Sequence, residues 1–312
     1  MTYSQADITV PYAVANFAEI RHKGYYYVDK TNYIPLLERY KAPVFLRPRR
    51  FGKSLLVSML AHYYDRNMAT QFKELFGGTW IGEHPTNEHN QYLVVRYDFS
   101  TTSVASKKED IEKNFNAVNC SPLRTLVERN RDLFGDFRFR EDGNASNMLV
   151  EVCEFISSHN LPPLYILIDE YDNFTNQLLV VFKDSLYQDL TTGESFLRTF
   201  FKVIKAGIGE GTIRTCFCTG VLPVTMDDLT SGYNIAEMLT LKPEFTNLLG
   251  FTHEEAAQYL KYVINKYGPQ ASFEELWTLI LNNYDGYHFL PNAEPLFNST
   301  ILTYFLKNFA EL

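Results

Sequence analysis

Long apolar runs are missing from this chain. No stretch of about eighteen apolar residues occurs, so no membrane-spanning helix and no membrane partner are expected. A positive charge excess is also missing. The formal net charge is −8, which argues against a surface that coats nucleic acid as a whole and leaves only a local basic groove open. The N-terminus, MTYSQADITVPYAVANF, has no basic start followed by an apolar core, so it is not expected to be a secretory signal. Only four cysteines are present, at 120, 153, 216 and 218, without a Cys-x-x-Cys pair or a histidine partner. That excludes a conventional zinc site and predicts reduced, buried thiols in an intracellular, cytoplasmic protein, a nuclear location being left open. In that compartment the Asn-x-Ser/Thr triplets at Asn144, Asn173 and Asn298 carry no glycosylation meaning. Internal repeats and low-complexity tracts are absent.

What is there suits a globular protein. The 312 residues are 46% apolar and 21% charged, enough for one large domain or two unequal ones with a sizeable core. Aromatics reach 15%, mainly Phe and Tyr, and read as core filler. Apolar runs at 42–47, 92–98, 164–168 and 213–219 read as buried strands, with a short one over 239–245. Helical periodicity covers 53–66, much of 106–131, 145–158 and 195–206, and then 252–266, 273–283 and 296–309. Thr252-x-x-Glu255 forms a capping box before the first of the last three. Strands alternating with helices predict an α/β fold with a mainly parallel sheet, whose ligands bind beyond the carboxyl ends of the strands.

Chemistry gathers at three of those strand ends. After the first stands Arg47-Pro48-Arg49-Arg50-Phe51-Gly52-Lys53-Ser54-Leu55, with Gly-Lys-Ser opening a helix. This is the outline of a phosphate-binding P-loop, in which backbone N–H groups and a helix N-terminus face an anion. The lysine neutralises phosphate charge and the serine hydroxyl ligates Mg²⁺. The first glycine of the usual pattern is replaced by Arg47, and Pro48 contributes no N–H. The third strand ends in Asp169-Glu170, the Walker B arrangement. There Asp169 would hold Mg²⁺ opposite Ser54 and Glu170 would act as general base. The competing reading has these acids cap a helix starting at Asp172–Thr175. Thr219, at the end of the fourth strand, reads either as a sensor near the γ-phosphate or as ordinary strand termination.

Arg47, Arg49 and Arg50 admit three readings. They could form a solvated turn or a tie to the protein's own acids, they could stabilise phosphate charge bidentately, or they could form a small nucleic-acid patch. Other suggestive groups fall away. Glu83, His84, Glu88 and His89 fit no defined ligand spacing, and His253-Glu254-Glu255 lacks the second histidine of a zincin helix, Ala257 standing there. Gly207-Ile208-Gly209-Glu210-Gly211 follows a helix rather than a strand, and is read as a C-cap and loop.

Six stretches in this order resemble the predicted AAA-ATPase-like family. They are Tyr27-Val28-Asp29-Lys30-Thr31, Leu46 to Leu55, Ile168 to Asp172, Thr219-Gly220-Val221, Leu249-Gly250-Phe251-Thr252 and Tyr284-Asp285-Gly286-Tyr287-His288-Phe289. The resemblance spans about residues 15–310. It implies a P-loop ATPase with an additional strand and a catalytic glutamate, similar to archaeal and STAND-type ATPases, in which the missing first glycine is a family trait. It implies Lys53 and Ser54 as nucleotide and Mg²⁺ residues, Asp169 as Walker B, Glu170 as base and Thr219 as sensor. Family members are often fused to a PD-(D/E)XK nuclease-like domain. Within these 312 residues no acid is followed at suitable spacing by Glu-x-Lys, so no nuclease activity is expected of this polypeptide.

Together these readings predict a P-loop ATPase-like domain over 1–248 and a small helical or winged-helix-like segment over 249–312. The expected function is Mg²⁺-dependent ATP binding and hydrolysis that switches a partner or an attached effector domain. ATP would be held by Arg49, Arg50, Phe51, Gly52, Lys53, Ser54 and Leu55, and Mg²⁺ by Ser54 and Asp169. The alternative is a nucleotide-binding scaffold with negligible turnover, used for assembly or nucleic-acid recognition. A homo-oligomer and a nucleic-acid partner stay open.

Overall fold

The structure is a computed structural model describing residues 10–102, 108–140, 143–172, 195–223, 233–268 and 271–310. The start of the chain, the Asn173 triplet and Thr175 lie outside the described residues.

Five strands are described: β1 (Pro43–Leu46), β2 (Leu93–Asp98), β3 (Leu164–Asp169), β4 (Ile213–Gly220) and β5 (Glu237–Met238). They form one sheet in the order β2-β3-β4-β1-β5, and every pair is parallel. β4 thus stands between β1 and the acid-bearing β3. The α/β P-loop architecture expected from the alternation is present. The strand expected over 239–245 lies earlier, at 237–238, and Pro243–Phe245 is a 3₁₀ turn, because a proline cannot donate to a sheet ladder.

Alternation along the strands separates two cores. Val44, Val95, Ile166, Ile168, Cys216 and Cys218 face the helices Lys108–Arg129, Ala145–His159 and Phe196–Glu210. Phe45, Tyr165, Leu167 and Phe217 face the helix Lys53–Tyr64, which buries Leu56, Val57, Met59, Leu60, Tyr63 and Tyr64. The Cys216 and Cys218 sulfurs lie 3.8 Å apart as free, buried thiols on one face of β4. The helix from Phe196 runs to Glu210, further than its sequence reading, because Ile208 continues the apolar stripe of Phe200, Phe201 and Ile204. Gly207 and Gly209 therefore lie inside it, and Gly211 alone is the left-handed cap. Glu88 is committed to Arg214 at 3.0 Å, and no metal-ligating cluster occurs among the described residues.

A third core belongs to the C-terminal residues. The helices His253–Tyr267, Phe273–Tyr284 and Ser299–Ala310 bury Tyr259, Leu260, Val263, Ile280, Leu302 and Leu306 together. Isolated antiparallel bridges join Phe251 to Phe297 and Tyr287 to Leu296. The Thr252–Glu255 capping box is formed in both directions. Lys30 ties this region to the N-terminal segment, its Nζ donating to Asn247 O at 2.8 Å and to Glu255 Oε1 at 2.6 Å. Asp29 accepts from Thr31 N and Trp80 N, so the Tyr-Val-Asp-Lys-Thr stretch braces two neighbours at once. Among the described residues no helix is long and apolar enough to cross a membrane.

Candidate phosphate-binding site

The loop after β1 turns through two left-handed residues, Arg50 at φ +72° and Gly52 at φ +94°. Gly52 then caps the 53–64 helix, its carbonyl accepting from Leu56 N at 3.0 Å. A residue without Cβ reaches that φ without strain, which gives Gly52 its place. Lys53 and Ser54 consequently occupy the first turn of a helix whose N-terminus faces the carboxyl edge of the sheet.

The acids of β3 meet this turn. Asp169 is almost fully buried, and the Ser54 side chain nearby works against the upward shift of its carboxyl. Glu170 follows at φ +52°, and its Oε1 lies 3.8 Å from Lys53 Nζ. The same ammonium donates to Arg47 O at 3.1 Å and Pro48 O at 3.2 Å. Burial dominates the electrostatics. It pushes Asp169 and Glu170 above the usual carboxylate range and Lys53 below the usual amine range, with their mutual attraction opposing each shift. At 3.8 Å the Lys53–Glu170 contact is too long to outweigh desolvation.

The remaining strand-end residues have structural duties. Thr219 is fully buried, and its hydroxyl donates to Phe45 O at 2.8 Å across the β4–β1 pair. The hydroxyl thus bonds a sheet carbonyl at the strand end. Asp172 accepts from Val221 N at 3.1 Å and Leu222 N at 2.7 Å, tying the end of β3 to the end of β4. It approaches Gly220 so closely that a Cβ there would stand 2.3 Å from its Oδ1. Neither contact had a local signal, since the partners are about fifty residues apart.

The arginines divide. Arg47 is 1% exposed. Its guanidinium donates to Leu46 O (3.0 Å), Thr240 O (3.3 Å) and Thr246 O (3.0 Å), and lies 4.4 and 3.9 Å from the Phe45 and Phe289 ring centres. Burial alone pushes it down to about 10, so it stays charged at neutral pH. It is a brace between the loop base and the C-terminal region, bonded to carbonyls and not to acids. Arg49 and Arg50 are exposed, and the Arg49 charge reaches both Lys53 and Glu170. The Phe51 ring packs edge-on against Tyr287 and Phe289, so Phe51 can offer an anion only its backbone. The Tyr-Asp-Gly-Tyr-His-Phe stretch is thereby seen to anchor the loop.

Beside the loop lies a cavity of about 290 Å³, near the lower end of the range of small-molecule pockets. Its walls include Lys53, Ser54, Leu55 and Glu170 as well as Val14, Tyr26, Val28, Phe251, Tyr259 and Thr303. Sequence reading missed the apolar walls because they come from widely separated segments.

A family model described as Predicted AAA-ATPase matches residues 11–230. A curated protein described as "Uncharacterized protein in vnfD 5'region", from Azotobacter chroococcum mcd 1, is 26% identical over 255 residues. The match covers 79% of this chain and 43% of that relative, so the chain spans about two-fifths of the relative's length.

Proposed function

The chain belongs to the predicted AAA-ATPase family, and from that premise we propose that it binds ATP with Mg²⁺ at the 49–55 loop and hydrolyses it. The observation that carries this reading is the convergence of Lys53, Ser54, Asp169 and Glu170 at adjoining loop and strand ends. The Ser54 hydroxyl and Asp169 carboxylate form a hard-oxygen pair suited to Mg²⁺, which when bound neutralises charge on phosphate oxygens.

In this mechanism the base and ribose occupy the apolar cavity, and the amides of 52–55 hold the β- and γ-phosphates. Lys53 transfers its hydrogen bonds from the Arg47 and Pro48 carbonyls to phosphate oxygens. Glu170 accepts a proton from water as the water oxygen bonds to the γ-phosphorus and the bond to the β,γ-bridging oxygen breaks. Its raised pKa makes the carboxylate a better proton acceptor than an exposed glutamate. Arg49 and Arg50 offset charge developing on the transferred group. The nucleotide state would then switch a partner or an attached effector.

Glu170→Gln tests the reading. Phosphate release should fall about 10²–10⁴-fold while ATP binding persists. Negligible turnover in the unaltered protein, with ATP still bound, would favour a nucleotide-binding scaffold instead.

A further inference from the structure

A loop that holds an anion with its amides must turn its carbonyls elsewhere, and those carbonyls need donors. Here the donors come from residues about 250 positions away. Asn298 Nδ2 donates to Arg49 O at 3.1 Å, Ser299 Oγ to Arg50 O at 3.2 Å and Thr300 N to Arg50 O at 3.1 Å. Because a trans peptide sets its C=O and N–H antiparallel, these bonds point the Arg50 and Phe51 N–H groups away from residues 298–300. They also hold Arg50 at φ +72°, a conformation that costs a residue with a Cβ about 1 kcal/mol or more and persists only under external constraint.

Asn298 is committed at both ends. Its Oδ1 accepts from Ile301 N at 3.2 Å and caps the Ser299–Ala310 helix, while its amide nitrogen clamps the loop. It is 4% exposed. Serine, threonine and aspartate also cap helices, but serine and threonine are too short for the second contact and aspartate has no donor.

We propose that Asn298 is a positioning residue for the phosphate-binding loop, setting the orientation of the amides from the opposite side of the site. The inference rests on the ATP reading above for its consequence and on the three hydrogen bonds for its geometry. In a loop with proline at 48 and arginine at the usual first glycine, orientation comes from an outside clamp in place of glycine freedom.

Asn298→Ser and Asn298→Asp both keep a capping side chain and remove the amide donor, and the neutral serine controls for added charge. Three measurements are compared with the unaltered protein: the nucleotide-free melting midpoint, amide hydrogen exchange across 49–53, and ATPase activity against ATP concentration. Both variants should melt close to the unaltered protein and exchange faster at Arg50 and Phe51. Half-saturating ATP should rise about 3- to 10-fold, with turnover at saturation unchanged. Unchanged loop exchange, or unchanged half-saturation despite faster exchange, overturns the proposal. If the unaltered protein binds no ATP, the ATP reading fails, and loop exchange still decides whether Asn298 sets the amides.

Discussion

The base of the phosphate loop and its rim are two residues apart and follow opposite rules. Arg47, at the base, is buried among three carbonyls and two aromatic rings. Arg49 and Arg50, at the rim, are exposed, and the Arg49 charge reaches the Lys53–Glu170 pair. One basic cluster therefore divides between holding the fold and facing solvent. The difference lies in which way each side chain leaves the turn. Burial of a guanidinium is tolerated where its donors find acceptors, and the carbonyls of 46, 240 and 246 supply them.

Breaking the base should have the largest effect. Arg47→Met keeps the stem but removes three hydrogen bonds and leaves buried carbonyls unpaired, so about 3 kcal/mol of stability should be lost in urea unfolding. Breaking the rim should leave stability within about 0.5 kcal/mol. Arg49→Ala and Arg50→Ala should instead each weaken ATP binding about 5- to 20-fold in a fluorescent-nucleotide titration, the range of one charge-assisted contact. If both rim variants bind ATP like the unaltered protein, the proposed division of labour is wrong at the rim.

A smaller effect sharpens the contrast between fold and site. Burial raises the Asp169 pKa, so its ionised form costs stability. At low pH the carboxyl is protonated in folded and unfolded chains alike and the cost is absent. As pH rises from the ordinary carboxylate value through the raised folded value, stability is lost. Asp169→Asn should therefore be more stable near neutral pH, with the gain gone only well below the ordinary carboxylate value, at about pH 3. Melting at both pH values checks the sign. Weaker nucleotide binding in the same variant would mark a site where stability was given up for function.

Much of this was legible in the residues. Gly-Lys-Ser before an apolar helix, and a buried strand ending in Asp-Glu, are local patterns whose geometry follows from chain connectivity. Their meeting in space was also foreseeable, because a parallel sheet brings its carboxyl ends to one edge. Thr219 was harder. A hydroxyl at a strand end faces a ligand or a neighbouring strand, and the Thr219 bond to Phe45 O depends on the pairing of β1 with β4. Arg47 was harder still, since burial depends on residues 240–246 and 289.

The chain's own pattern thus determined the α/β class, the position of the loop and the identity of the two acids. Periodicity and turn chemistry act over a few residues and can be read in one dimension. Tertiary structure alone decided which arginine is a brace, that Asn298 clamps the loop, and that widely separated segments wall one cavity. Those outcomes rest on hydrogen bonds and packing between residues about 190 to 250 positions apart. No local spacing encodes such partners. They exist only after the sheet and the C-terminal helices have packed together.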